Sequence, residues 1–196
     1  MIIYTFGPAL GCIDLSPFVV KLLAWARMAD VPHSVQVGDL RKMPAAKLPA
    51  ARLDDGRLLG DSQRIVEHLA RLHRDPLGEA GWTTTERATA KAFRALFETD
   101  LYFTGVYGRW VPEANWAQFK PAMATSIGQM GVPGLVLPLV LKQVRKTMLK
   151  QLHSQGTGRW SPEQVAEHGI GGYSAVADFL GSKPYMLGDK PSALDA

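Results

Sequence analysis

The stretch that decides the fold is Lys47-Leu48-Pro49-Ala50-Ala51-Arg52-Leu53, then Asp54-Asp55-Gly56, Arg57-Leu58-Leu59 and, after one glycine, Asp61-Ser62-Gln63-Arg64-Ile65. Two short apolar runs flank Asp-Asp-Gly, which is a hairpin signal. The proline stands directly before the first run, a place where a missing ladder donor is tolerated. Asp61-Ser62 then starts a helix, with Ile65, Val66, Leu69 and Leu72 expected to face inward. Working back towards the N-terminus, Ser34-Val35-Gln36-Val37 alternates as a short strand. Ser16-Pro17 opens a helix, Ser as N-cap and Pro at the first helical position. Phe18, Leu22, Trp25 and Met28-Ala29 keep helical spacing until Asp30-Val31-Pro32 stops it. Ile2-Ile3-Tyr4-Thr5-Phe6 is a β-rich run ended by Gly7-Pro8. The order over residues 1–74 is strand, helix, strand, loop, hairpin, helix, which predicts an α/β domain.

Working forward, residues 75–82 have linker composition, and beyond them the strand signals stop. Residues 83–196 read as an all-helical domain. Thr83-Thr84-Thr85-Glu86 has capping-box spacing and begins a long helix running towards Tyr107. A stretch interrupted by Pro and Gly follows, then a basic helix at about 137–153, in which Leu137, Leu141, Val144, Met148 and Leu152 form an apolar stripe. Ser161-Pro162-Glu163 caps a last helix towards Leu180.

With 46% hydrophobic and 20% charged residues, the 196-residue chain is globular, not disordered. A single cysteine excludes an internal disulfide framework, a CxxC redox pair and a four-cysteine zinc site. Together with the lack of a signal-peptide pattern at Met1–Phe6, this leads us to expect a cytoplasmic protein. Gly131–Leu141, the longest apolar stretch, falls short of the roughly 20 residues needed to span a membrane. The net charge of +4 concentrates where no Asp or Glu occurs, between Glu113 and Glu163. There Lys142, Arg145, Lys146 and Lys150 share one helix side. A solvated face explains this run, and contact with an anionic membrane surface or acidic partner is the sharper alternative. No nucleic-acid motif accompanies it, so nucleic acid is not expected as a partner. Gly169-Ile170-Gly171-Gly172 follows no strand and is no dinucleotide loop; the five histidines have no metal-ligand spacing.

Three boundaries of the first domain can carry chemistry. Ser16 stands at a helix N-terminus, where backbone N–H groups and the helix dipole favour an anion such as a thiolate; taken alone, a plain N-cap explains it equally well. A cis bond before Pro49 would turn the Leu48 backbone outward, free to pair with an extended peptide. Ser62 offers a hydroxyl at a helix N-terminus to a carboxylate, and Asp61 can hold an ammonium. Cys12, four residues before Ser16, reads either as a second sulfur at that site or as a small buried residue.

In this order the features resemble the thioredoxin-like domain of glutathione S-transferases. The pattern is most similar to the failed-axon-connections/metaxin-like branch, through Leu15-Ser16-Pro17-Phe18, Lys47-Leu48-Pro49 and Asp61-Ser62-Gln63-Arg64-Ile65 in the first domain. Gln155-Gly156-Thr157-Gly158-Arg159-Trp160-Ser161 and Lys183-Pro184-Tyr185-Met186-Leu187-Gly188-Asp189-Lys190-Pro191-Ser192 extend it through the second. The resemblance implies a thioredoxin-like domain followed by a helical transferase-type domain, with glutathione as co-substrate and a small electrophile as its partner. It implies a homodimer by analogy. Residue by residue, Ser16 would donate a hydrogen bond to the glutathione thiolate, the Leu48 backbone beside Pro49 would pair with the cysteinyl unit, and Asp61 and Ser62 would hold the γ-glutamyl end. Tyr102, Phe103, Tyr107 and Trp110 are candidates for an apolar second-substrate wall. The expectation is therefore a glutathione transferase, the alternative a non-catalytic metaxin-like binding protein. Ser192-Ala193-Leu194-Asp195 has the spacing that starts a helix, yet only Ala196 follows, so the helical domain is expected to be truncated at its C-terminus.

Overall fold

The computed structural model describes residues 1–196. Two compact units divide the chain: residues 1–81, 125–133 and 190–196 form the first, and residues 82–124 and 134–189 the second. Two short segments thus return to the first unit after the chain has left it.

The first unit is built on strands β1 (Ile2–Thr5), β2 (Ser34–Val37), β3 (Ala50–Arg52) and β4 (Leu58–Gly60), ordered β2-β1-β3-β4. β2 runs parallel to β1, the crossover being helix α1 (Pro17–Met28), while β3 and β4 are antiparallel neighbours joined by the Asp54-Asp55-Gly56 turn. Leu53 N–H donates to the Arg57 carbonyl across that turn at 2.9 Å. Ile3, Ala50 and Ala51 are fully buried in the sheet. Val19, Leu22, Trp25 and Ala26 of α1, and Ile65, Val66 and Leu69 of α2 (Ser62–Leu72), close over them. Each large apolar side chain buried this way contributes about 1.5–3 kcal/mol. Leu72 departs from the expected inward face: it is 61% exposed at the last position of α2. The returning segments join this core through Met130 and Ala193.

The second unit opens with α3 (Thr84–Ala95), which carries the expected capping box: Thr83 N–H donates to Glu86 Oε2 at 2.7 Å, and Glu86 N–H donates to Thr83 Oγ1 at 3.2 Å. The helix continues through a π-helical segment, Leu96–Leu101, into α4 (Tyr102–Trp110). The stretch expected to be interrupted is instead helix α5 (Glu113–Gln129), with Pro121 inside it. α6 (Leu137–Gln155) buries Leu141 and Leu152 of the predicted stripe. Of the four basic residues on its side, Arg145 is not a solvent-facing charge. Its guanidinium donates to the Trp110 and Val111 carbonyls at 3.1 and 3.3 Å, pairs with Glu113 and lies 5.0 Å from the Trp116 ring centroid. It thereby satisfies carbonyls at the end of α4 that the helix itself leaves unpaired. α7 (Pro162–Leu180) begins with a second capping box, Ser161 with Gln164, and contains the Gly169–Gly172 run inside a helix. No helix is long and apolar enough to cross a membrane. At the chain end, Ser192-Ala193-Leu194-Asp195 makes a single turn in which Asp195 Oδ2 accepts from the Ser192 N–H and hydroxyl at 2.9 and 2.7 Å.

Candidate functional site

The strand register brings the sequence features together. Tyr4 lies opposite Ala50, and Ala50 opposite Gly60. Along that row, β1 is about to end and lead to Ser16, β3 begins directly after Leu48-Pro49, and β4 ends before Asp61-Ser62. One end of the sheet therefore carries all three boundaries. α1 and α2 are also joined directly near their starts, since Lys21 Nζ donates to Gln63 Oε1 at 2.8 Å.

Ser16 is half-buried and has the extended φ/ψ of an N-cap, but its hydroxyl makes no capping bond. Several of the backbone donors around it are engaged within the chain. Its own N–H donates to Asp14 Oδ1 at 2.7 Å, Pro17 has none, and the N–H groups of Val19 and Val20 donate to the Ser16 carbonyl at 3.1 and 3.0 Å. The hydroxyl itself is what this helix terminus presents. Asp14, which the sequence reading passed over, is 3% exposed. Besides Ser16 N–H, its carboxylate accepts from Phe6 N–H at 2.8 Å and Gly7 N–H at 3.0 Å. Burial pushes its carboxyl above the usual range, against the backbone N–H bonds that pull it down. The only signal in the sequence is an Asp two residues before Ser-Pro, a spacing at which an aspartate bonds a backbone N–H.

The Leu48–Pro49 bond is cis. The Leu48 side chain is buried, and it fits because Gly38 has no Cβ: one there would lie 2.8 Å from Leu48 Cδ2 and 3.1 Å from Tyr4 Cβ. No hydrogen bond within the chain uses the Leu48 N–H or C=O. Asp61 caps α2, its Oδ1 accepting from Gln63 and Arg64 N–H at 3.0 and 3.1 Å, at a φ of +74° that Asp adopts more readily than most residues. Ser62, 5% exposed, has a hydroxyl outside that cap.

The remaining candidates divide. Cys12 is exposed, not buried, in a turn bridged to Ala9. Trp110 does not form a wall: it is 6% exposed, and its ring stacks on Trp116 at 5.1 Å and meets Phe119 edge-on at 5.3 Å, as core of the second unit. Tyr107, 7% exposed, lines a cavity within that unit with Thr104, Gly108 and Val165. Tyr102 and Phe103 are half-buried with rings 5.1 Å apart, and burial raises the Tyr102 phenol while the Arg109 charge lowers it.

A family model described as the glutathione S-transferase N-terminal domain matches residues 17–115. An isoprene-epoxide glutathione S-transferase of Rhodococcus sp. (strain AD45) is 33% identical over 99% of this chain and 82% of its own length. The chain belongs to the glutathione S-transferase family. Failed axon connections of Drosophila melanogaster is 26% identical over 98% of the chain, and a metaxin-1 homolog of Caenorhabditis briggsae 25% identical over 95%. The chain spans about half the length of these two, 47% and 57%. Among solved structures, the bacterial transferase BphK in a ternary complex superposes with a TM-score of 0.57 at 17% identity, over 100% of this chain and 78% of that one. A thioredoxin-like sheet followed by a helical transferase-type domain is thus the fold of this family member.

Proposed function

We propose that this glutathione S-transferase-family chain binds glutathione at the end of its sheet and transfers the sulfur to small electrophiles. The observation that carries the reading is the Ser16 hydroxyl: it stands at the end of a helix dipole and makes no capping bond, while its own N–H and those of Val19 and Val20 are taken. A hydrogen bond from it favours thiolate over thiol, so the free-thiol pKa of about 8.5 falls. A fall of about two units leaves most of the sulfur ionised at neutral pH. Ser16 acts as a donor and forms no covalent bond. The unpaired N–H and C=O of Leu48 offer the cysteinyl peptide unit two antiparallel hydrogen bonds, in the manner of an added strand. Asp61 Oδ1 is committed to its cap and Oδ2 makes no bond to the protein, which suits an ammonium; the Ser62 hydroxyl suits the adjoining carboxylate.

For the electrophile we propose a small epoxide, the class named for the Rhodococcus relative. The thiolate sulfur attacks a ring carbon, a carbon–sulfur bond forms as the carbon–oxygen bond breaks, and the alkoxide takes a proton from water. Calorimetric titration with glutathione, followed by product analysis with isoprene oxide, tests the reading; no heat of binding ends it.

The alternative of a metaxin-like binding protein rests on a different surface. Lys142, Lys146 and Lys150 are exposed on α6 near Leu139, which is 70% exposed. Salt-sensitive binding to anionic vesicles together with absent turnover favours that reading. Identity with the epoxide transferase, at 33% against 26% and 25%, favours the enzyme.

A further inference from the structure

We propose that Asp14 is the positioning residue of the reaction: its carboxylate clamps the end of β1 to the start of α1 and so aims the Ser16 hydroxyl at the glutathione sulfur. This rests on the reading of Ser16 as the sulfur's hydrogen-bond donor.

The two carboxylate oxygens hold opposite ends of the loop between Phe6 and Ser16. Oδ2 takes Phe6 and Gly7 N–H at 2.8 and 3.0 Å, and Oδ1 takes Ser16 N–H at 2.7 Å. Gly7 has a φ of +90°, and its N–H also reaches Thr5 Oγ1 at 3.2 Å, so the strand end is fixed from both sides. On the N-terminal side of Ser16 the Leu15 backbone also bonds to the Asp14 carboxylate; Leu15 and Ser16 are half-buried, and Cys12 and Ile13 are exposed. Fixing the Ser16 N–H leaves its hydroxyl little freedom beyond rotation about one side-chain bond. An asparagine in place of Asp14 retains one acceptor oxygen but turns an NH2 group towards N–H donors, which breaks one half of the clamp.

Charge and position act in opposite directions here, and that separates them. A buried negative charge beside the site opposes a thiolate, so removing it in Asp14→Asn lowers the sulfur's pKa if charge is all that Asp14 contributes. If Asp14 aims the donor, the same substitution raises it. The experiment uses the full chain with Asp14→Asn, Ser16→Ala and the double variant. Thiolate ultraviolet absorption of bound glutathione is followed against pH, and kcat and KM are measured with isoprene oxide. The expected result is a rise of about one unit with Asp14→Asn, kcat at pH 7 and KM for glutathione each changed by less than about twofold because the more basic thiolate is also more nucleophilic, and almost no added effect of Asp14→Asn on the titration once Ser16 is alanine. A lowered or unmoved pKa in Asp14→Asn, or effects that simply multiply in the double variant, overturns the proposal. Wild type without any bound thiolate overturns the Ser16 reading itself and this inference with it. A bound thiolate that only Ser16→Ala disturbs overturns this inference alone. Should Asp14→Asn fail to fold, Asp14→Glu takes its place, keeping the charge but shifting the oxygens by one methylene, with the same rise expected. Loss of folding in both shows a structural role and overturns the proposal.

Discussion

Replacing Ser16 with alanine separates what the residue does for the fold from what it does for the sulfur. An N-cap serine changed to alanine ordinarily loses about 1 kcal/mol, because its side chain holds a backbone N–H of the first turn. Here that bond does not exist. The bonds Ser16 does make run through its backbone, to Asp14 and from Val19 and Val20, and all survive the change. The stability change should therefore stay within about 0.5 kcal/mol, which in a chain of this size moves Tm by about 1–2 °C. For the sulfur, a hydrogen bond to a charged group is worth about 1.5–3 kcal/mol. At about 1.36 kcal/mol per pKa unit, its loss raises the bound thiol by about one to two units. From a starting value near 6.5, the thiolate fraction at pH 7 then falls from about three quarters to between about a quarter and a few per cent.

The rate falls less than the ionised fraction, because a more basic thiolate is also a better nucleophile, with a sensitivity of about 0.4–0.5. Ionisation alone accordingly changes the rate at pH 7 by no more than about threefold. The bound-thiol titration is thus the sharper assay: ultraviolet absorption of the thiolate against pH, in wild type and Ser16→Ala, alongside thermal melts. An unmoved titration midpoint refutes Ser16 as the donor and turns attention to Cys12. A Tm lowered by several degrees refutes the claim that the hydroxyl is idle in the fold.

Three further outcomes are expected. Asp61→Asn keeps an acceptor for the Gln63 and Arg64 N–H groups but removes the charge, so denaturation should change by only a few tenths of a kcal/mol while glutathione binding by calorimetry weakens about tenfold; Asp61→Ala should lose about 1 kcal/mol of stability as well. Gly158→Ala places a Cβ 2.7 Å from His153 N and 2.8 Å from the Leu152 carbonyl carbon, backbone atoms that cannot swing aside, and should cost about 1–3 kcal/mol in urea unfolding. Asp14 has a carboxyl raised in the folded chain, so protonation favours the fold. Its contribution is complete below the ordinary carboxylate range and is lost as pH rises through the raised value. The stability of wild type relative to Asp14→Asn, from denaturant midpoints at pH values between about 3 and 7, should fall as pH rises, and a rising difference refutes the assignment.

Much of the first unit is legible in its residues, because its elements begin and end on local chemistry. Ser16-Pro17 starts α1, Asp54-Asp55-Gly56 turns the hairpin, and Asp61 caps α2. What escapes the sequence has distant causes. Pro121 reads as an interruption, yet α5 carries it through a helix that buries Phe119 and Ala122 on either side of it. Arg145 has the spacing of an exposed charge, and nothing nearby in sequence shows that Trp110 and Val111, 35 and 34 residues away in sequence, offer it carbonyls at 3.1 and 3.3 Å. Leu72 continues the apolar period of α2 beyond the point where the core ends. Trp110 is read as a binding wall because it is aromatic and follows Tyr107 at helical spacing; only its stacking on Trp116 shows that it is core.

The two serines of the site share a local arrangement that accounts for their availability. A serine at the start of a helix normally gives its hydroxyl to the backbone, and that bond competes with any ligand. At both termini an aspartate takes the backbone instead. Asp14 holds the N–H of Ser16 two residues on, and Asp61, directly before Ser62, holds the N–H groups of Gln63 and Arg64. A carboxylate accepts these bonds more strongly than a hydroxyl does, so the anchoring passes to the aspartate. Lys21, bonded to Gln63, then ties the two termini to each other. The serine hydroxyls are thereby left for the ligand, and loss of the acceptor oxygens at Asp14 or Asp61 should be felt in the fold where Ser16→Ala is not.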